Sequence, residues 1–264
     1  MVANLRRLAG YRALIQSLVA RDLKARYRGS VLGFFWSFVN PLLLLSIYTF
    51  VFTVVMPAAR GADLEPYAVF LFCGLLPWTW FTSSVLESAT VLVSGGNLIR
   101  KVLFPAEVLP IVTVLAGFVH FCLGLVIVAG AIVYFHVPVS LLELLWLPVI
   151  VLVQLIMTLG LALLVSVITV HFRDMRDLLG NLLTLWFFAT PIVYPLASVP
   201  GNLQPLMKLN PFTHLARAYQ EVLFFPGPFT EARHMLLLGA LSLVLLLIGL
   251  TVFDRLRDTL PEAV

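Results

Sequence analysis

Six stretches of this chain contain no lysine, arginine, aspartate or glutamate: residues 29–59, 66–86, 108–142, 144–172, 178–207 and 234–253. Their lengths are 31, 21, 35, 29, 30 and 20 residues. A helix needs ~20 largely apolar residues to cross a hydrocarbon core, so each stretch has room for one crossing. A water-exposed fold has no means of covering so much apolar surface. The chain is 61% hydrophobic and 11% charged, with mean hydropathy +1.03, whereas soluble domains carry about 25% charged residues. Inside a bilayer the backbone must satisfy its own hydrogen bonds, which selects helices. The expectation is an all-α membrane protein forming one transmembrane domain over residues 1–264. Its six spans are placed near 32–56, 67–91, 108–134, 144–169, 178–196 and 234–253.

An even number of spans leaves both termini on one side, and the basic residues say which. Arg6, Arg7, Arg12, Arg21, Lys24, Arg26 and Arg28 precede the first span. Arg100, Lys101, Arg173, Arg176, Arg255 and Arg257 fall on the same side, making 13 of the 17 basic residues. Positive residues stay cytoplasmic, so both termini are expected in the cytoplasm. The net charge of +4 then reflects topology and contact with anionic lipid headgroups, not nucleic acid. Cys73 and Cys122 fall inside expected spans, without metal-ligand spacing or a disulfide framework. No cleavable leader is expected, because no short apolar core with a small-residue cleavage site opens the chain.

Four pieces outside the spans carry information. Residues 11–28 place Tyr11, Leu14, Ile15, Leu18, Val19, Leu23 and Tyr27 at helical spacing, opposite Gln16, Arg21, Asp22, Lys24, Arg26 and Arg28. This pattern predicts an amphipathic helix in the membrane interface, with Gly29 and Ser30 turning the chain into the first span. At residues 93–107, Gly95 and Gly96 are expected to break a helix and Asn97 to cap a short new one, 97–104, ended by Pro105. The turn from His171 to Asp177 alternates charges and reads as a solvated connector. Finally, residues 197–233 form a long outer segment. There Asn210 is a plausible cap and Pro211 a first helical residue, and Phe212, Leu215, Ala216, Tyr219, Val222 and Leu223 form an apolar stripe. That helix is expected either to lie on the outer leaflet or to dip between the spans. Pro191 and Pro195 are expected to break the fifth span near its outer end.

Chemistry is conspicuously sparse. The chain has no Gly-Lys dipeptide and so no phosphate-binding loop of its own. The five histidines, His120, His136, His171, His214 and His234, are scattered in sequence and include no H-E-x-x-H, so no metal site is expected. No G-x-S-x-G marks a nucleophile. Glu87, His120 and Gln154 are isolated polar groups within or beside spans, too few for a proton relay. Trp78 and Trp80 suit an interfacial aromatic belt. The same aromatic richness would suit a passage for sugars, whose apolar faces stack on rings. The chain has the features of a pathway without an engine.

The run Arg21-Asp22-Leu23-Lys24-Ala25-Arg26-Tyr27-Arg28-Gly29-Ser30, continuing through Leu32-Gly33 and Trp36 to Asn40-Pro41-Leu42, resembles the N-terminal signature of type 2 ABC exporter permeases. It is most similar to their polysaccharide-exporting branch, the O-antigen, capsular polysaccharide and teichoic acid permeases. Leu98 to Pro105, Phe172-Arg173-Asp174, Thr190 to Pro195 and Asn210-Pro211-Phe212 agree with it in order. The resemblance implies a homodimer working with two copies of a separate cytoplasmic ABC ATPase, which binds the ATP and magnesium. No cofactor is then bound by this chain. It also implies that Arg21, Asp22, Lys24, Arg26, Tyr27 and Arg28 lie on an ATPase-facing interface helix. Asn97, Leu98, Ile99, Arg100 and Lys101 would form the coupling helix. Trp36, Tyr48, Trp186 and Phe187 would line the channel, and Pro191, Tyr194, Pro195, Asn210 and Pro211 would build an external gate.

The function expected on that basis is a non-enzymatic permease of the bacterial inner membrane that exports lipid-linked polysaccharide, with O-antigen the leading cargo. Within the family, the alternatives are export of teichoic acid, a lipid or a drug. Outside it they are a self-sufficient channel or secondary transporter, or a membrane enzyme acting on lipid-linked sugars.

Overall fold

The computed structural model describes residues 10–26, 28–29, 32–55, 64–101, 104–172 and 174–260, and among them every regular element is helical. Helix α1 spans Arg12–Arg26 and α2 spans Trp36–Phe50, prolonged by a π-helical turn Val51–Val55. Next come α3 (Tyr67–Ser94), the short α4 (Gly96–Lys101), α5 (Val108–Tyr134) and α6 (Leu147–His171). Then follow α7 (Met175–Phe188), the short α8 (Gln204–Leu209) and α9 (Pro211–Leu223), and α10 (Ala232–Leu256) closes the fold. Five helices, including the turns that extend them, are long and apolar enough to cross a membrane: Trp36–Val55, Tyr67–Ser94, Val108–Tyr134, Glu143–His171 and Ala232–Leu256. The protein is therefore a multi-pass membrane protein.

Helix α3 is the central post. It packs against α2, α5, α6, α7 and α9, and Phe70, Leu71, Phe81 and Leu92 on it are fully buried. Pro77 interrupts its hydrogen-bond ladder, and the buried Gln154 side chain on α6 donates to the Pro77 carbonyl at 2.8 Å. The amide nitrogen of this lone polar group is thus satisfied by a neighbouring helix, while its Oε1 is buried without a hydrogen-bond partner. Trp78 and Trp80 depart from expectation. Both are buried in the helical core, with Trp80 Nε1 donating to the Val114 carbonyl at 3.2 Å. An interfacial belt needs rings at the protein surface, and α3 has almost none.

Helices α6 and α10 approach most closely where Gly160 faces Gly249. A Cβ on Gly249 would lie 2.7 Å from the Gly160 carbonyl oxygen, and one on Gly160 would lie 2.7 Å from the Leu246 amide nitrogen. Lipid supplies no hydrophobic drive between helices, so association rests on this kind of close backbone packing. Where α3, α6 and α10 end beside α4, Leu92, Leu163, Val167, Phe253 and Leu260 make a second small core that also receives Ile99 from α4.

Two sequence expectations change here, and one open choice is decided. The fifth expected span, 178–196, stops being helical at Phe188. Helix α7 has 14 residues, about 21 Å at 1.5 Å per residue, shorter than the ~30 Å hydrocarbon core. Pro191 has no N–H for the ladder and disfavours helical geometry at Thr190 before it, which ends the helix. The expected coupling helix, 97–104, begins earlier and ends sooner. Gly95 alone forms the turn, Gly96 is already helical, and Asn97 is an interior residue and not a cap. Val102 and Leu103 lie outside the described residues, and Phe104 is no longer helical. The outer helix α9 dips into the protein instead of lying on a leaflet: ten of its 13 residues are buried.

Candidate functional site

One end of the bundle is built around the irregular segment 189–195. Its backbone has left the helical ladder, so its polar groups need other partners at membrane depth. They have them. The buried Tyr67 hydroxyl donates to the Val193 carbonyl at 2.7 Å, Gln220 Nε2 on α9 donates to the Pro191 carbonyl at 3.3 Å, and the Tyr194 hydroxyl donates to the Phe188 carbonyl at 2.6 Å. Thr190, Ile192 and Val193 are buried.

Asn210 joins the parts. Its Oδ1 accepts from the Phe212 amide at 2.9 Å, the expected cap of α9, and also from Trp186 Nε1 at 2.7 Å. Its Nδ2 donates to Thr190 Oγ1 at 2.8 Å and to the Ala189 carbonyl at 3.1 Å. One side chain thus ties the end of α7, the irregular segment and the start of α9 together. Beneath it lies a cluster of rings. Trp78 meets Phe212 edge-on at 4.7 Å between centroids, Phe81 meets Trp186 at 5.5 Å, and Tyr48 on α2 meets Phe187 at 6.0 Å.

The expected gate residues Pro191, Asn210 and Pro211 therefore converge with the expected channel residues Trp186, Phe187 and Tyr48. Tyr194 and Pro195 sit at the exit of the same segment. Trp36 does not join them. It lines a separate cavity of about 540 Å³ together with Arg26, Ser37, Asn40, Thr79, Trp80, Ser83 and His120. Trp78, Phe212, Tyr67 and Gln220 belong to this site but are not among the expected channel or gate residues, because nothing in α3 or α9 alone shows which face meets the irregular segment.

On the opposite side, Leu14, Ile15, Leu18, Val19 and Leu23 form the half-buried face of α1, which packs on α5. Arg21 and Lys24 are exposed, and Arg28 follows in the turn where Gly29, at φ 81°, reverses the chain. Tyr27 lies outside the described residues. Arg26 makes a two-pronged ion pair with Glu87 on α3: Nη1 reaches Oε1 at 2.9 Å and Nη2 contacts Oε2, while Nε reaches Asp22 at 2.9 Å. Burial opposes the Arg26 charge, but the Glu87 and Asp22 carboxylates outweigh it and raise the guanidinium pKa above its ordinary value. Glu87 is thus the anchor of the N-terminal helix, not an isolated carboxylate. Charge reversal in Arg26→Glu or Glu87→Arg is expected to cost roughly 1 kcal/mol, given the partial exposure of the pair. The double reversal should regain most of that loss, as read by the melting temperature of the purified protein.

In α4, Asn97 is exposed and Leu98 half-buried, while Ile99 is buried in the second small core. The side chains of Arg100 and Lys101 lie outside what the structure describes.

The histidines also need correcting. His214 and His234, 20 residues apart and read as scattered, stack with ring centroids 4.1 Å apart. His214 Nδ1 is 2.9 Å from Glu231 Oε2, and Arg217 Nη1 holds Glu231 Oε1 at 2.7 Å. The hydrogen bond to Glu231 raises the His214 pKa above its ordinary value despite burial. Burial would raise the Glu231 pKa, but the His214 hydrogen bond and the Arg217 charge outweigh it and lower it.

The sequence pattern of the ABC-2 type transporter family matches residues 13–224. The O-antigen export system permease protein RfbA of Myxococcus xanthus is 40% identical over 268 residues, covering 100% of both chains. The O-antigen export system permease protein RfbA of Klebsiella pneumoniae is 33% identical over 250 residues, 94% of each. The polysialic acid transport protein KpsM of Escherichia coli is 27% identical over 253 residues, 92% of this chain and 93% of that protein. With this match, and a helical bundle whose irregular outer segment is latched to a buried helix, the chain belongs to the ABC-2 type transporter family.

Proposed function

We propose that this protein is the membrane-spanning permease of an ATP-driven exporter that carries lipid-linked polysaccharide, with O-antigen the leading cargo, outward across the bacterial inner membrane. The observation that carries this reading is the 40% identity over the full length of both chains to an O-antigen export permease. The chain is a transport subunit and not an enzyme. ATP and magnesium are handled by a separate cytoplasmic ATPase present in two copies.

In this reading α7 and the irregular segment 189–195 together complete a sixth crossing. The irregular part is tolerated because it is buried in protein. Both termini then lie in the cytoplasm. Two copies of the chain meet through α2 and α7, whose Leu43, Ile47, Phe50, Leu185 and Phe188 are exposed here. Tyr48, Trp186 and Phe187 lie on these same two helices and would flank the passage. The ATPases close on ATP and push on α1 and α4. Asn97, Leu98, Arg100 and Lys101 would meet the ATPase, while buried Ile99 passes the movement into the ends of α3, α6 and α10. The Arg26–Glu87 clamp passes it from α1 to α3. The protomers shift as rigid bodies, the latch at Asn210 releases, and the glycan slides past aromatic rings.

The test is deletion of the gene. Surface polysaccharide should vanish while completed lipid-linked polymer accumulates inside the cell. If both remain unchanged, the glycan reading fails and a lipid or drug exporter takes its place. The 27% identical polysialic acid transport protein favours a second reading, a capsular glycan. Structural identification of the accumulated polymer decides between the two.

A further inference from the structure

We propose that His214, Glu231 and His234 form a binding site for one divalent transition-metal ion of the zinc class, which clamps α9 to the head of α10. The site itself does not depend on the export reading. Only its placement on the outer face does.

The donor atoms come from two elements. His214 lies on α9. Glu231 and His234, three residues apart at the start of α10, project from one face of the helix. His214 Nδ1 and His234 Nδ1 approach the same carboxylate oxygen, Glu231 Oε2, at 2.9 and 2.8 Å, and the donor atoms lie within 4.8 Å of one another. Ligands on a tetrahedral zinc ion at ~2.0–2.2 Å stand roughly 3.4 Å apart, so to admit the ion the two N···O separations must open by about half an ångström and the half-exposed His234 ring must turn out of its near-parallel stack on His214, until both Nδ1 atoms face one point. Two nitrogens and a carboxylate oxygen form a donor set that zinc uses with a fourth position left for water. The half-exposed His234 leaves that position facing solvent.

Two further observations point to a metal and not merely to hydrogen bonding. The buried His234 Nδ1 has no hydrogen-bond partner of acceptable geometry, despite the oxygen 2.8 Å away. It converges on the carboxylate without bonding to it. The supporting groups also already fix the ligands. His214 Nε2 lies 2.8 Å from the Lys208 carbonyl, which fits an Nε2–H donor that fixes the ring, so a bound metal would displace the Nδ1 proton now shared with Glu231. Arg217 occupies Glu231 Oε1 and leaves Oε2 available. The Arg217 charge is shared with Glu221 at 3.3 Å, so two carboxylates surround one guanidinium and the pocket still favours a cation.

The experiment uses the full-length permease, purified with a tag free of histidine and stripped by a chelator. Zn²⁺ alone and Co²⁺ alone are then titrated in, with elemental analysis, calorimetry and melting temperature as readouts. One Zn²⁺ per chain and a higher melting temperature are expected. His234→Ala keeps the fold, because its ring is half exposed. It should weaken binding about 100-fold, at the top of the losses caused by changing groups that only hold a ligand in place, and remove the thermal gain. Glu231→Gln, equal in size, should act similarly. A native chain that binds no Zn²⁺ would overturn the proposal and leave a hydrogen-bonded lock. Equal binding by native chain and His234→Ala would overturn it too, since the ion would then sit elsewhere. Neither result touches the export reading, which the deletion assay tests separately.

Discussion

Replacing Gly160 by leucine should prevent the bundle from assembling. The new Cβ would lie 2.7 Å from the Leu246 nitrogen and 2.9 Å from the Leu245 carbonyl carbon, both backbone atoms of α10. Neither can move aside as a side chain would, so the two helices must separate along their length. Overpacking a well-packed core costs about 1–3 kcal/mol, occasionally more. Here the strain falls on the most extensive helix pair in the protein. Van der Waals packing between α6 and α10 replaces a hydrophobic drive that the bilayer does not supply, so the expected loss lies at or above the top of that range. Gly249→Leu should match it, because its Cβ meets the Gly160 carbonyl oxygen. Gly130 on α5 is the control. Nothing lies within 4 Å of a Cβ there, and Gly130→Ala should gain up to about 1 kcal/mol in helix propensity. Melting temperature and resistance to proteolysis in detergent are the measurements. A Gly160→Leu protein that melts like the native chain would refute the packing argument.

The second large effect belongs to Asn210→Ala. It removes the cap of α9, typically worth ~1 kcal/mol, and leaves Trp186 Nε1 and Thr190 Oγ1 without their shared partner. A stranded polar group costs about 1–3 kcal/mol when buried, and Trp186 is only half-buried. The contributions share one residue and do not simply add. A combined loss of about 2 kcal/mol shifts the balance between latched and released outer segment roughly 30-fold. Export, measured as surface glycan in a deletion strain carrying the variant, should fall, because a passage that no longer closes between strokes loses the directionality that the ATPases supply. Asn210→Asp keeps the oxygen that caps α9 and accepts from Trp186, but loses both Nδ2 donors. Its effect should be intermediate. Full export and native melting by Asn210→Ala would remove Asn210 from the gate.

The all-helical class and four of the spans were legible to within a few residues. Helices α6 and α10 start and stop within a few residues of the charges, and α3 and α5 start there, because a charged side chain is expensive in hydrocarbon wherever the helix packs. Tail residues of α2 were legible for the same reason, up to Val55. The cap at Asn210 and the turn at Gly29 were legible because each depends on one residue's own hydrogen bond or dihedral angle. The end of α7 was misplaced by eight residues, since the charge-free run continues to residue 207 while the helix yields to Pro191. The role of Gly95 was misread for a related reason: two adjacent glycines offer two places to turn, and packing against Leu109 selects one.

What the sequence by itself determined is local. It set where water and lipid must lie along the chain, which segments must be helical, and where prolines and glycines interrupt them. What only the tertiary structure decided is which faces meet. Arg26 finds Glu87 across 61 positions, Tyr67 finds the Val193 carbonyl across 126, and His214 finds His234 across the loop before α10. Trp78 became core and not belt because α3 stands at the centre of the bundle. The physical reason is that an apolar residue satisfies the bilayer equally well against lipid or protein. Hydropathy therefore leaves helix rotation and neighbour choice open, and close backbone packing, buried hydrogen bonds and ion pairs select among the arrangements that remain.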